Sequence, residues 1–319
     1  MNMRHILWLI ILWSFTAIGW ADQGCYSIQV KAVLLAEQEA GLALYHQLKD
    51  KKYLVYYYQL PLNDEDWFRL RLGCFKTREQ AKQFGNTFEQ KEKLSFFVTH
   101  SELLMDTYQD KFEVITTPSA IWFHSAQQDK VLYAFSGINE LAFVEQSQAR
   151  IAPDGKHIVF YANEQIIEVD LESGAHSVLA TDVVNAQPQW SADGQYIGYL
   201  DDAEWETTTS LCVLKAKKHN CLIKNDAKTQ KAVKSFLWHP NKNIIFFVEG
   251  HAYGTVTVGG NLYAVDMKAK RQEVVKAPTE NQEVGTDFEI KDGFIHYKLY
   301  QFDEQYIHKK ATVKKIKLP

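Results

Sequence analysis

Four polar side chains on two short alternating stretches carry the most specific chemistry in this sequence. In Tyr26-Ser27-Ile28-Gln29-Val30 and in Phe68-Arg69-Leu70-Arg71-Leu72-Gly73, apolar and polar residues alternate with a period of two. That period marks a strand with one face on a core and one face free. The free face is expected to present Ser27, Gln29, Arg69 and Arg71, with Trp67 at its edge. Guanidinium groups at i and i+2 form charge-assisted, bidentate bonds to carboxylates. Ser and Gln side chains bond amides and hydroxyls. The set fits a polar, partly anionic, extended ligand and points to binding before catalysis. The plainer reading is a solvated strand face with Trp67 packed in a hairpin.

The elements that must position these residues follow from periodicity. After the first strand, Ala36 to Lys51 lacks proline and spaces Leu42, Leu44, Tyr45 and Leu48 as a helix does. Tyr53 to Leu60 is rich in Val and Tyr and reads as a second strand, Pro61 to Asp66 as a turn, and Trp67 to Phe75 as a third strand. Thr77 caps a second helix whose apolar stripe is Ala81, Phe84 and Phe88, and Leu94 to Thr99 is the last strand. The order is βαββαβ, an α+β domain with a four-stranded antiparallel sheet and two helices on one face. The opposite face is expected to be uncovered.

These residues resemble the SPOR (sporulation-related repeat) domain. The likeness runs over residues 24–101 and includes Phe75-Lys76-Thr77-Arg78-Glu79-Gln80-Ala81 as well as the two strands. It implies an envelope protein that binds peptidoglycan glycan strands stripped of their stem peptides, through the exposed sheet face. It assigns that role to Ser27, Gln29, Arg69 and Arg71; the chemistry of Trp67 adds a ring expected against a sugar face. Lys31-Ala32 stands where that family usually has Gly-Ser, and Cys74 where Pro is common.

The N-terminus reads as an export signal over residues 1–21. Arg4 is a positive n-region, Ile6 to Phe15 is an apolar run, and Gly19-Trp20-Ala21 is a cleavage site, so cleavage is expected after Ala21. Ile6 to Ala21 is shorter than the ~20 apolar residues a spanning helix needs. The mature chain is expected in the periplasm and not integral to the membrane. In an oxidising compartment, four cysteines without a C-x-x-C pair read as disulfides rather than metal ligands. Antiparallel pairing of the first and third strands brings Cys25 to Cys74. A hairpin turn within Lys215–Asn220 brings Cys212 to Cys221. Four buried thiols are the alternative.

Past a stretch at residues 102–111 that reads as a linker or a short helix, residues 112–319 change to short apolar strands between polar turns. Ile151-Ala152-Pro153-Asp154-Gly155 and its following strand match Trp190-Ser191-Ala192-Asp193-Gly194, and again Trp238-His239-Pro240-Asn241. A fainter copy starts at Lys291-Asp292-Gly293. A recurrence of about 40–50 residues is that of a propeller blade, and Asp-Gly supplies the positive φ of a tight turn. The expected fold is an all-β propeller of about five blades, with four or six also open. The repeats resemble the TolB-type propeller, which implies a periplasmic platform for a protein partner.

A formal charge of −4 argues against nucleic acid as a partner. No nucleophile elbow, zinc-protease motif, phosphate loop or dinucleotide fingerprint occurs. Asp64, Glu65 and Asp66 mimic a glycan-cleaving pair but fall on a turn. Asp201, Asp202, Glu204 and Glu206 surround Trp205 as an acidic loop or a partner-binding edge. The expectation is a non-catalytic adaptor with no cofactor and no metal, binding peptidoglycan and an unidentified envelope protein. The alternatives are a cell-wall glycan enzyme targeted by its N-terminal domain, or a pure protein-interaction scaffold.

Overall fold

The computed structural model describes residues 25–62, 65–101, 103–135, 147–203, 206–253, 259–279, 281–303 and 309–319. The expected export signal, residues 1–21, lies outside these residues. The chain divides into two compact units, Asp22–Pro188 and Gln189–Pro319.

The N-terminal elements run β1 (Cys25–Leu34), α1 (Gln38–Asp50), β2 (Val55–Leu62), β3 (Glu65–Phe75), α2 (Arg78–Glu92) and β4 (Phe97–Ser101). Their sheet has the order β2-β3-β1-β4, and all its pairings are antiparallel. Local chemistry explains the helix starts. Thr77 Oγ1 accepts from the Gln80 amide, and the Gln80 side chain accepts from the Thr77 amide, closing a capping box. A 3₁₀ turn, Leu35–Glu37, precedes α1.

Phe68, Leu70 and Leu72 of β3 are fully buried in one apolar cluster with Leu48 of α1 and Phe88 of α2. Gly41 lets α1 approach that layer, because a Cβ there would overlap the Phe68 ring. Gly41→Ala is expected to lower stability by about 1–3 kcal/mol through overpacking, since a buried Phe68 has no room to yield. Chemical denaturation of the variant checks this.

Among the described residues, five further four-stranded antiparallel sheets follow, over residues 104–134, 150–180, 189–223, 231–275 and 282–317. The first begins with β5 (Leu104–Tyr108), which pairs along its length with Phe112–Thr116. The segment expected as a linker or short helix is therefore an outer strand. Its residues Leu104, Met105 and Tyr108 suit a strand, and pairing satisfies their backbone groups.

The three strongest sequence copies fold alike. The amides of Ala152, Ser191 and His239 donate to the carbonyls of His157, Tyr196 and Ile244, each at 2.8–2.9 Å. Gly155 and Gly194 take φ of +70°, while the Asn241 copy closes without a residue in that region. Asp292 and Gly293, with φ of 52° and 76°, make the two-residue hairpin of the fainter copy. The last sheet departs from the others. Its long strand Phe294–Phe302 takes Gln282–Val284 and Glu289–Lys291 along one edge and Lys309–Lys317 along the other.

A buried charge braces the fourth of these sheets. The Glu249 side chain is 2% exposed and accepts from Arg271 Nη1 and Nη2 at 3.2 and 2.6 Å, with Lys231 3.8 Å away. The Arg271 guanidinium also lies 3.6 Å from the Tyr263 ring centre. Removing it leaves a buried carboxylate with weaker partners. Arg271→Ala is expected to cost about 2 kcal/mol, and Arg271→Ala with Glu249→Gln less than the two singles combined. Urea titrations of the three variants measure the coupling.

Candidate functional site

The sheet register brings the sequence-selected residues together. Gln29 of β1 and Tyr56 of β2 both pair with Arg71 of β3, and Ala32 pairs with Arg69. The β1–β3 pairing shifts register twice, between Tyr26 and Ile28 and, by a bulge at Val30, between Gln29 and Lys31.

The exposure of these side chains differs from expectation. Ser27, Gln29 and Arg71 are buried at 0%, 5% and 8% exposure, whereas Trp67 and Arg69 are half-buried. The face carrying Ser27, Gln29 and Arg71 is therefore not free. Leu103 and, from the first C-terminal sheet, Ile115, Ala120 and Trp122 join the same apolar cluster as Cys25 and Tyr56, with Met105 packed against it. Alternation along a strand identifies two faces. What lies over each is set by residues distant in sequence.

Burial forces the polar groups to satisfy one another. Arg71 Nη1 donates to the His100 carbonyl and to Ser101 Oγ, both at 3.0 Å, and Arg71 Nε reaches Gln29 Oε1 at 3.4 Å. Ser101 Oγ lies 3.0 Å from Tyr56 Oη, which bonds Ser27 Oγ. Ser27 Oγ donates to the Gly73 carbonyl at 2.8 Å. Gly73 has φ of +71°, a conformation that glycine adopts without a Cβ penalty. Burial pushes the Tyr56 phenol up, so it stays neutral within this chain of bonds.

Tyr56 and Ser101 are the members that sequence reasoning missed. The signal for Tyr56 was its place in Val55-Tyr56-Tyr57-Tyr58, where one tyrosine must face away from the helices. Ser101 carried no local signal. Arg69 has the opposite character: its Nε is buried without a hydrogen-bond partner. That Nε is shut off from solvent, so an external acceptor would have to meet the outer part of this half-buried guanidinium.

Both expected disulfides are present. Cys25 joins Cys74 across 49 residues of sequence, and Cys212 joins Cys221 across 9. Cys74 also touches Met105, with the sulfur atoms 3.2 Å apart. The second bridge follows from its hairpin. Ala216 and Lys217, both with positive φ, form a two-residue loop, and counting back from Lys215↔Lys218 sets Cys212 opposite Cys221. Of the acidic candidates, Asp66 is exposed, while Asp64, Glu204 and Trp205 lie outside the described residues.

A SPOR-domain family model matches residues 23–99, the span of β1 to α2 and the start of β4. Residues 23–99 thus carry the SPOR domain, and the described remainder is strand-rich and built of four-stranded sheets. A second family model, described as a domain of unknown function (DUF4652), matches residues 156–316, just over half of the 319 residues. The chain belongs to the DUF4652 family.

Solved structures give remote likenesses. TolB from Acinetobacter baumannii is 11% identical with a TM-score of 0.40, covering 86% of this chain and 82% of its own. The β-propeller domain of the Trilobed protease from Pyrococcus furiosus is 12% identical with a TM-score of 0.43, covering 82% of each chain. A putative conserved lipoprotein from Clostridium novyi NT is 19% identical with a TM-score of 0.38, covering 42% of this chain and 88% of its own. Overlap at this level assigns no shared function. No curated protein gives a significant sequence match. Among the described residues, no helix is long and apolar enough to cross a membrane.

Proposed function

We propose that this chain is an exported, non-catalytic envelope protein that binds denuded peptidoglycan glycan strands through its N-terminal sheet and a protein partner through its C-terminal sheets. The observation that carries the reading is the SPOR-domain match over residues 23–99. Within that domain the contact falls on Arg69 and Trp67, the half-buried members of the residue set. Arg69 pairs with a lactyl carboxylate and Trp67 lies against a sugar face. Ser27, Gln29 and Arg71 act one step behind, holding β3 in register through their buried bonds. The five C-terminal sheets serve as five blades of a propeller that presents the partner surface, with export to the periplasm and cleavage after Ala21.

Purified sacculi test the reading. The protein is expected to co-sediment with sacculi, and more strongly after an amidase has stripped the stem peptides. Equal sedimentation with and without amidase treatment removes the denuded-strand claim. Release of glycan fragments from the sacculi would replace the adaptor with an enzyme.

A further inference from the structure

Period-2 alternation and the register of three neighbouring strands gather four residues of metal-binding types on one sheet face. Tyr199 on Ile197–Asp201 pairs with Cys212 on Ser210–Lys215, and Cys212 pairs with Cys221 on Lys218–Ile223. Asp201 lies two residues from Tyr199, and His219 two residues from Cys221, so both share that face. One ligand atom from each of Asp201, Cys212, His219 and Cys221 lies within 4.8 Å of the others. His219 Nε2 is 3.0 Å from Cys221 Sγ, and its Nδ1 bonds the Tyr199 hydroxyl.

We propose that the Cys212–Cys221 pair is a redox-gated metal site, closed as a disulfide when oxidised and binding one zinc ion through Cys212, Cys221, His219 and Asp201 when reduced. A dithiol reductant supplies two electrons and two protons to the disulfide and is itself oxidised to a disulfide, leaving two thiols. Zinc then displaces both thiol protons, and His219 Nε2 and an Asp201 oxygen complete the coordination. Two sulfurs, one imidazole nitrogen and one carboxylate oxygen are a standard tetrahedral zinc set. Bonds of about 2.0–2.3 Å put tetrahedral ligand atoms about 3.3–3.8 Å apart. The ligands therefore move by about 1 Å from their present places, with the two sulfurs parting. Tyr199 supplies the outer bond that orients a metal-bound histidine. Cys212 is fully buried and His219 exposed, which gives the ion an entry side and a dry side.

The test uses the full chain reduced with dithiothreitol, desalted without oxygen and titrated with Co²⁺, then Zn²⁺. Reduced wild type is expected to bind one Co²⁺ with a thiolate-to-metal charge-transfer band, and Zn²⁺ should displace it. Oxidised protein should show neither. Cys212→Ser/Cys221→Ser, which keeps Cys25 and Cys74, should lose the band, and His219→Ala should weaken binding at least about tenfold. The proposal is overturned if reduced wild type takes up no stoichiometric metal, if the double serine variant keeps the band, or if His219→Ala binds as wild type does. If reduction unfolds the chain, circular dichroism decides: refolding on adding Zn²⁺ supports the site, and no refolding refutes it.

Discussion

Arg69→Ala should abolish most sacculus binding while leaving stability within about 0.5 kcal/mol of wild type, whereas Arg71→Ala should lower stability by about 2–3 kcal/mol. The two arginines sit two residues apart on β3 and have the same chemistry, so only their environments separate them. Arg71 makes bonds to His100, Ser101 and Gln29 inside a buried network, and alanine strands those acceptors away from water. Arg69 is half-buried and its Nε has no partner to lose, so its truncation should remove the proposed glycan contact and little else. Sedimentation with amidase-treated sacculi and a urea titration of each variant measure both axes. Lys at position 69 should restore only part of the binding, because a point charge does not reproduce a bidentate fork. If Arg69→Ala and wild type sediment equally, the glycan contact is elsewhere. If Arg71→Ala is as stable as wild type, the buried network is not what holds β3.

The second large effect is expected at Cys25–Cys74. This bridge closes 49 residues and Cys212–Cys221 closes 9. In the chain-entropy account, removing the longer loop's bridge costs about 4 kcal/mol and the shorter one about 2.5 kcal/mol. Cys25→Ala/Cys74→Ala should therefore unfold at a clearly lower urea concentration than Cys212→Ala/Cys221→Ala. The reverse order would mean that the unfolded chain is already restrained near Cys25, or that Cys212 packing outweighs loop closure. The functional consequence differs as well. Loss of the first bridge frees one end of β1 beside the Ser27–Gly73 bond and should weaken sacculus binding. Loss of the second lies in the other compact unit and should leave sacculus binding unchanged.

Much of the fold was legible because its signals are local. Thr77 with Gln80 three residues on announces a capping box, and the structure closes it. Asp-Gly and its Asn-containing relative mark turns that the structure forms with matching hydrogen bonds in all three copies. The cysteine pairs follow from strand order and from one hairpin register. The strand at Leu104–Tyr108 was not legible, because a five-residue polar-apolar segment beside a turn carries no period long enough to distinguish a strand from a linker.

By itself, the sequence determined which residues share a strand face, which cysteines can meet, and that Arg69 and Arg71 stand together beside Gln29. These are consequences of a period-2 backbone and short-range turn chemistry. Tertiary structure alone decided that Ser27, Gln29 and Arg71 are interior while Arg69 and Trp67 keep contact with solvent. The reason is physical: a strand's alternation specifies two faces, but burial depends on what packs over each. Here Ser27, Gln29 and Arg71 are interior, and their polar groups bond Tyr56, Gly73, His100 and Ser101.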